Sequence, residues 1–536
     1  MGRFLNSKVP YADYSETVSE TYFVDKTTLL RELIPALGKK NRYFCITRPR
    51  RFGKSVMANM VGAFFGNAVD ARELFAHLAI AEDEKHMAHL NRYDVIYIDL
   101  SEVPRDCTSY KQYIDRIQAG LNDDLAEAYP DLEIDVSGPT WDILTEIFQK
   151  REKKFIFVMD EWDAVFHMPF VSKGDKEAYL LFLRSLLKGK VYVRLAYMTG
   201  VLPIAKYSGG SELNMFLEYD MATKKKFSEH FGFSDQEVDR LFAIYEKETK
   251  APEISREDLR LWYDGYCTAK GERLYNPRSV ICALTDNELS DYWTSSGPYD
   301  EIFYYIRNNV EAVRDDIALM VSGEKIPITL QGYAATGLEL KTKDQIYSAM
   351  VVYGLLTYED KAVFIPNKEL MGRFNELLMD NDCLGYVHSL AKESRRMLAA
   401  TLAKDTETMA EILKFAHDTE TPILSYNNEI ELSAIVNLVY LAARDRYRVE
   451  REDKAGEGYV DFIFYPEIKG ETAIILELKV DDTPEAAIRQ IKKRGYVLRL
   501  KGRSGEKPRY TGETLFVGIG YDKKTKAHSC KVEVAS

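Results

Sequence analysis

The sequence predicts an α/β protein in three parts: a parallel-sheet domain over residues 1–225, a mostly helical middle domain over 226–404, and a smaller α/β domain over 405–536. Three observations carry this. Strand-like apolar runs alternate with helix-like segments up to about residue 225, as in a mainly parallel sheet with crossover helices. From about 226 the pattern turns helical. The last segment opens with helices and changes to strands at Tyr459.

Four runs mark the strands of the first domain: YFCIT (Tyr43 to Thr47), DVIYIDL (Asp94 to Leu100), KFIFVMD (Lys154 to Asp160) and VRLAYMTG (Val193 to Gly200). Each is nearly continuously apolar, which fits strands buried on both faces. YKQYIDRIQAGLNDDLAEAY (Tyr110 to Tyr129) is one of the helical stretches between them. In the middle domain, LLTYEDKAVFIPN (Leu355 to Asn367) reads as a hairpin between helices. That order fits a winged-helix unit or a plain helical lid. In the last domain, TLFVGIGY (Thr514 to Tyr521) is the expected final strand.

Composition narrows the class. The chain is 46% hydrophobic and 29% charged with a formal charge of −12, an ordinary globular balance rather than a basic coat for nonspecific nucleic-acid binding. The start, MGRFLNSKVPYADYSE, lacks the apolar core of a signal peptide. The longest apolar-rich runs, such as Ser433 to Ala443, fall far short of the ~20 residues that span a bilayer. A cytoplasmic protein with no membrane partner is expected. Six cysteines without CxxC or Cys/His spacing speak against structural zinc and a disulfide scaffold. One segment departs from the acidic balance: Arg489 to Arg509 holds nine Lys/Arg against Glu506 alone. Such a run is either a field that holds phosphates or a solvated helix face.

The first chemical motif follows the first strand. RPRRFGKS (Arg48 to Ser55) ends in Gly53, Lys54 and Ser55, the glycine, lysine and hydroxyl of a phosphate-binding loop. In such a loop, backbone N–H groups and a helix N-terminus converge on phosphates, lysine reaches the β/γ oxygens and the hydroxyl binds Mg²⁺. Arg51 and Phe52 complete the expected nucleotide contacts. Arg48 stands where the pattern has its first glycine, and Pro49 removes an N–H donor. The partner motif is FIFVM leading into Asp160 and Glu161. An aspartate at that strand end holds Mg²⁺ and the next glutamate polarises the attacking water. Thr199, ending the following strand, is a candidate sensor of the γ-phosphate. Arg184 and Arg194 are two of many candidates for an arginine finger.

The second motif lies in YVDFIFYPEIKGETAIILELKV (Tyr459 to Val480). Alternation along a strand projects Glu477 and Lys479 together and Leu478 away. A turn over Pro466 to Glu471 brings Asp461 opposite Leu476 or Glu477. Two converging carboxylates repel unless a cation joins them, and hard oxygen ligands favour Mg²⁺ or Mn²⁺. Such a metal polarises a phosphodiester oxygen, and Lys479 orients a water or offsets developing charge. Glu431 is a further candidate ligand, with Glu429 the alternative.

Taken together, FVDKTTLL, ITRPRRFGKS, FVMDEWD, TGVLP with Asn214, WYDGY and LYNPRS resemble the AAA-ATPase-like domain of bacterial proteins that end in a PD-(D/E)XK nuclease-like domain. The likeness runs from about Phe23 to Ser279 and returns in the C-terminal segment. It implies a P-loop-type sheet domain and a C-terminal restriction-endonuclease-like fold. Arg-Pro-Arg-Arg before Phe-Gly-Lys-Ser is the form this family uses. The resemblance places Asp25 and Lys26 near the nucleotide. It also matches Gln490, as a catalytic-site residue, and Tyr496 to the helix after the nuclease core. Glu452 fits the pattern too, whereas Tyr459 stands where an arginine is usual.

The expected function is an ATP-binding, ATP-hydrolysing protein coupled to a metal-dependent nuclease, with ATP, Mg²⁺ or Mn²⁺, and nucleic acid (DNA ahead of RNA) as ligands and a homo-oligomer as a possible assembly. The alternative is a nucleotide-switched binding or assembly protein whose nuclease fold does not cut.

Overall fold

The computed structural model describes residues 2–204, 213–293, 306, 309–330, 340, 342–418, 429–455, 458–468, 470–496, 500, 510 and 512–535. The chain forms two compact units, one of residues 1–302 and 327–370, the other of residues 303–326 and 371–536.

The first unit is built on a parallel sheet of β1 (Tyr43–Thr47), β2 (Asp94–Asp99), β3 (Phe155–Asp160), β4 (Val193–Gly200) and β5 (Leu217–Tyr219), in the order β2-β3-β4-β1-β5. The four expected strands stand within a residue of their expected bounds. The fifth is a three-residue edge strand, too short to leave a pattern in the sequence. Alternate residues enter two cores: Cys45, Ile98, Phe157 and Met198 face one side, and Phe44, Ile46, Val158 and Tyr197 the other. Helix α1 (Lys54–Phe65) covers the second side with Met57, Met60, Val61 and Phe64. Helices α2 (Tyr110–Ala128), α3 (Thr140–Arg151) and α4 (Lys173–Leu187) cover the first. Burial on both faces is why these strands read as continuous apolar runs.

The middle segment is helical and is divided between the units, with 226–302 and 327–370 in the first and the remainder in the second. Helix α5 (Pro277–Asp286) starts on an Asn276 cap. Helix α6 (Lys343–Tyr353), a hairpin of β6 (Thr357–Glu359) and β7 (Ala362–Phe364), and helix α7 (Lys368–Asp380) follow in the expected helix, hairpin, helix order.

The second unit contains helix α8 (Glu429–Val439) and a mixed sheet of β8 (Tyr447–Ala455), β9 (Gly458–Pro466), β10 (Ala473–Val480), β11 (Thr514–Asp522) and β12 (Ala527–Val534), ordered β8-β9-β10-β11-β12. Only β10 and β11 run parallel, joined by helix α9 (Pro484–Arg494). Strands therefore begin at Tyr447 rather than Tyr459, and Thr514–Asp522 is not the last. The two strands that sequence reading missed are the sheet edges. Their charge-rich sequences, YRVEREDKA and AHSCKVEV, hide the apolar alternation. Among the described residues no helix is long and apolar enough to cross a membrane.

Candidate functional site

The sheet order determines how the first site assembles. Strand β4 lies between β1 and β3, so the loop after β1 and the acidic pair ending β3 flank the end of β4 at the carboxyl edge, where ligands of open α/β sheets bind. Arg51 and Gly53 both have positive φ (68° and 83°). Left-handed residues at such spacing turn backbone N–H groups toward a common concavity, and Gly53 takes this conformation without the strain a side chain would bring. Helix α1 then starts at Lys54 with no side-chain cap on its first turn.

Lys54 is buried, its side chain 3% exposed. Its ammonium donates to the Pro49 carbonyl at 3.3 Å and lies 3.5 Å from Glu161 Oε1. Asp160 accepts hydrogen bonds from the Ser55 and Thr199 hydroxyls. Burial, then the adjacent Glu161, push the Asp160 carboxyl up to about 6 despite those bonds. Glu161 sits at φ 50°, a left-handed backbone unusual for a residue with a side chain and of the kind that gathers at functional sites. Lys54, Ser55, Asp160, Glu161 and Thr199 are therefore one cluster.

Two neighbours hold that cluster and were missed from sequence. The buried Asp163 carboxylate accepts from the backbone N–H of Val201 and Leu202, the latter at 2.8 Å. Trp162 donates from Nε1 to the Leu202 carbonyl at 2.9 Å. A Cβ at Gly200 would overlap both side chains, so the glycine permits this close approach. The signal in the sequence is the full run DEWD, whose last two residues make these contacts.

Arg48, at the position of the absent glycine, is a buried clamp. Its guanidinium donates to the carbonyls of Thr47 (2.7 Å), Tyr219 (2.8 Å) and Phe227 (3.0 Å) and packs over the Phe231 ring. Burial lowers it to about 10, which leaves it a cation at neutral pH. Phe52 is also internal, edge-on to Tyr266 at 4.9 Å. Arg51 donates to the Tyr292 carbonyl. Arg48, Arg51 and Phe52 thus fasten the loop to the fold.

A cavity opens beside Gly53, lined by Phe23, Val24, Met57, His230, Phe233 and Ile281 among others. Its walls are mainly apolar. His230 is buried, contacts the Thr28 hydroxyl at 3.4 Å, and is lowered by burial to about 4, so it is neutral. Lys26 also lines the cavity but is bound to Glu237 at 2.7 Å, and Asp25 accepts from the backbone of Thr27 and Ala79. Asn214 is exposed. Arg194 stacks its guanidinium on Tyr93, 4.9 Å from the ring centre, while Arg184 is exposed on α4.

The second site sits on β9 and β10. Phe462 pairs with Leu476, and continuing that register puts Asp461 opposite Glu477 rather than Leu476. Asp461 Oδ2 accepts from the Leu478 N–H at 2.7 Å. Lys479 and Glu477 share a face, with Nζ 3.3 Å from Oε1, and Gln490 on α9 donates to the same oxygen. Among the described residues, the other Glu477 oxygen, Oε2, is buried with no hydrogen-bond partner. Burial, then Asp461, hold the Glu477 carboxyl well above the usual carboxylate range.

An orphaned buried oxygen beside a second carboxylate is a donor set that suits a divalent cation. Among the described residues no cluster of three metal-ligating side chains is present. The side chains of Glu429, Glu431 and Glu452 lie outside the described residues, as do 497–499 and 501–509 of the basic run. Within the described part of that run, Lys492 is ion-paired with Glu533, and Tyr496 is buried with Ile488 and Ile491.

Two family models agree with this architecture. Residues 11–208 match the family model described as a predicted AAA-ATPase, and residues 432–512 match that of the PD-(D/E)XK nuclease superfamily. A curated relative, an uncharacterized protein in the vnfD 5′ region of Azotobacter chroococcum mcd 1, is 25% identical over 283 residues. The match spans 52% of this chain and 51% of that protein, about half the length of each. Similar solved structures include the Walker-type ATPase PABY2304 of Pyrococcus abyssi, at 14% identity and TM-score 0.33 over 65% of this chain and 94% of that one. The ORC2 protein of Aeropyrum pernix, in ADPNP–ADP complexes, gives 12% and 0.32 over 69% and 94%. The chain carries, in this order, an AAA-ATPase-like domain and a PD-(D/E)XK nuclease superfamily domain.

Proposed function

We propose that the first unit binds and hydrolyses ATP with Mg²⁺ and that this is coupled to metal-dependent cleavage of nucleic-acid phosphodiesters by the second. The observation that carries the ATP reading is the convergence of Lys54 and Ser55 on Asp160 and Glu161. Lys54 would exchange its contact with Glu161 for the β/γ-phosphate oxygens. The freed Glu161 carboxylate could then accept a proton from a water. Ser55 and Asp160 would hold Mg²⁺, which supplies charge neutralisation at the phosphates when bound. Thr199 would keep the Asp160 carboxylate oriented. The cavity beside Gly53 suits a nucleobase, with apolar walls for its faces and the neutral His230 for its edge.

In the second unit, Asp461 and Glu477 would hold Mg²⁺ or Mn²⁺, and the unpartnered Glu477 oxygen supports that reading. The ion would supply Lewis acidity toward a phosphodiester oxygen. Lys479 would orient the attacking water, while Gln490 fixes the Glu477 rotamer. DNA is the favoured substrate over RNA, and a homo-oligomer is the assembly to test for.

Purified protein with plasmid, linear DNA and RNA, each with and without Mg²⁺ and ATP, tests both halves, with Lys54→Ala as the control. Lys54→Ala should weaken ATP binding tenfold or more, from ~2–4 kcal/mol for a lost buried charge contact. Unchanged affinity in a folded variant would remove the loop from the reading. Nucleic-acid binding without cleavage under every condition would favour the switched, non-cutting protein.

A further inference from the structure

Three stretches of the first unit have no role in either site so far: WYDGY (Trp262 to Tyr266), LYNPRS (Leu274 to Ser279) and the pair Tyr292–Trp293. Their side chains and backbone meet at one place, the first turn of α7. Glu369 is almost fully buried there, 1% exposed. Its carboxylate accepts from the Ser279 hydroxyl at 3.0 Å and from the N–H groups of Tyr292 (2.9 Å) and Trp293 (2.8 Å). The neighbouring Lys368 places its ammonium 4.6 Å over the Trp262 ring.

The same two residues, Tyr292 and Trp293, hold the phosphate loop by their other groups. Trp293 donates from Nε1 to the Arg50 carbonyl at 3.2 Å, and the Tyr292 carbonyl accepts from the Arg51 guanidinium. Tyr266 meanwhile packs edge-on to Phe52. A continuous set of hydrogen bonds therefore runs from Arg50 and Arg51 through Tyr292 and Trp293 to Glu369. Helix α7 begins at Lys368 in the first unit and continues past Leu370 into the second. A buried carboxylate with three donors is costly to move independently of them, since each separation would leave a desolvated polar group.

We infer that Glu369 is a positioning residue that links the phosphate loop to helix α7, so that nucleotide occupancy of the loop is transmitted along this helix into the second unit. The inference rests on the ATP-binding reading above and names the route by which that site acts on the rest of the chain. Ordering of residues 50–52 around phosphates would shift or stiffen Tyr292–Trp293. Glu369 then carries that change to the helix start.

Hydrogen exchange of the full chain, with and without Mg²⁺ and the β,γ-imido analogue of ATP at saturation, provides the test. In the wild type the analogue should slow exchange several-fold at 291–293 and at 371–380. Trp293→Phe removes only the indole N–H to Arg50, and Glu369→Ala removes the anchor at the other end. Both should still bind the analogue, yet lose the slowing at 371–380. Glu369→Gln, which can still accept from both N–H groups, should retain it. Trp293→Phe also guards against a Glu369→Ala protein that fails to fold. Wild-type slowing at 371–380 that persists in a folded, saturated Trp293→Phe or Glu369→Ala protein would overturn the link. So would a wild type that binds the analogue without any change at 371–380. A wild type that binds no analogue would instead bring down the ATP reading and this inference with it.

Discussion

The Thr199 hydroxyl donates to the Asp160 carboxylate across neighbouring parallel strands, and both groups are almost wholly buried. The register brings the two residues together. Met159 pairs with Met198, so the next residue of each strand comes side by side. Ser55 reaches the same carboxylate from the start of α1. An anion so enclosed, with Glu161 next to it, costs the nucleotide-free fold stability and is relieved by a cation.

Asp160→Asn should therefore stabilise the nucleotide-free protein at neutral pH. The folded carboxyl is raised to about 6, so the folded state binds the proton more tightly than the unfolded chain. The stability cost is absent below an unfolded value of about 4, grows as pH rises, and is complete above about 6. Urea unfolding at pH 7.5 should show a gain on the order of 2–3 kcal/mol, at ~1.4 kcal/mol per pKa unit, that shrinks as pH falls and is lost below about pH 4. The same variant should lose the Mg²⁺-dependent part of ATP binding. A variant no more stable than wild type at pH 7.5 would contradict the electrostatic account.

Hydrolysis should need Glu161 more than binding does. Glu161→Gln keeps the shape and removes the proton acceptor, so turnover should fall by roughly 10²–10⁴-fold with ATP affinity preserved. Paired calorimetry and phosphate-release assays check this. Full turnover would move the role to another residue.

At the second site, ligand and catalyst separate by metal binding. Asp461→Ala or Glu477→Ala should abolish Mn²⁺ binding in calorimetry together with cleavage. Lys479→Ala should keep the metal and slow cleavage, because an ammonium is not a ligand. Glu477→Gln should stabilise the metal-free unit at neutral pH, since burial and Asp461 already penalise its charge. Metal affinity unaffected by both carboxylate variants would place the metal elsewhere.

In the last turn of helix α9 the three basic residues should not contribute equally. All three are exposed, but the Lys492 charge is offset by Glu533, while Arg494 donates to the neutral Tyr496 hydroxyl at 3.2 Å. Lys493→Ala and Arg494→Ala should weaken DNA binding and flatten its salt dependence by about one counterion each; Lys492→Ala should do less. Filter binding across a salt series measures the slopes. Equal losses at all three positions would argue against the Glu533 pairing in solution.

By itself the sequence determined the parallel-sheet strands, the Gly53-Lys54-Ser55 loop, the acidic end of β3 and the Asp461, Glu477, Lys479 set. Each is a local pattern: strands buried on both faces must be continuously apolar, and a two-residue period puts Glu477 and Lys479 on one face. The β8 and β12 edges escaped because their sequences carry charge that blurs this period. Only the tertiary structure decided what Arg48, Asp163 and Glu369 do, because their partners lie up to 179 residues away in the chain for Arg48 and 90 for Glu369. It also chose Glu477 over Leu476 as the residue facing Asp461, since register depends on how strands pair across a turn. Charged side chains of this kind look alike in a sequence, and burial against specific partners is what turns Arg48 into a clamp and Glu369 into an anchor.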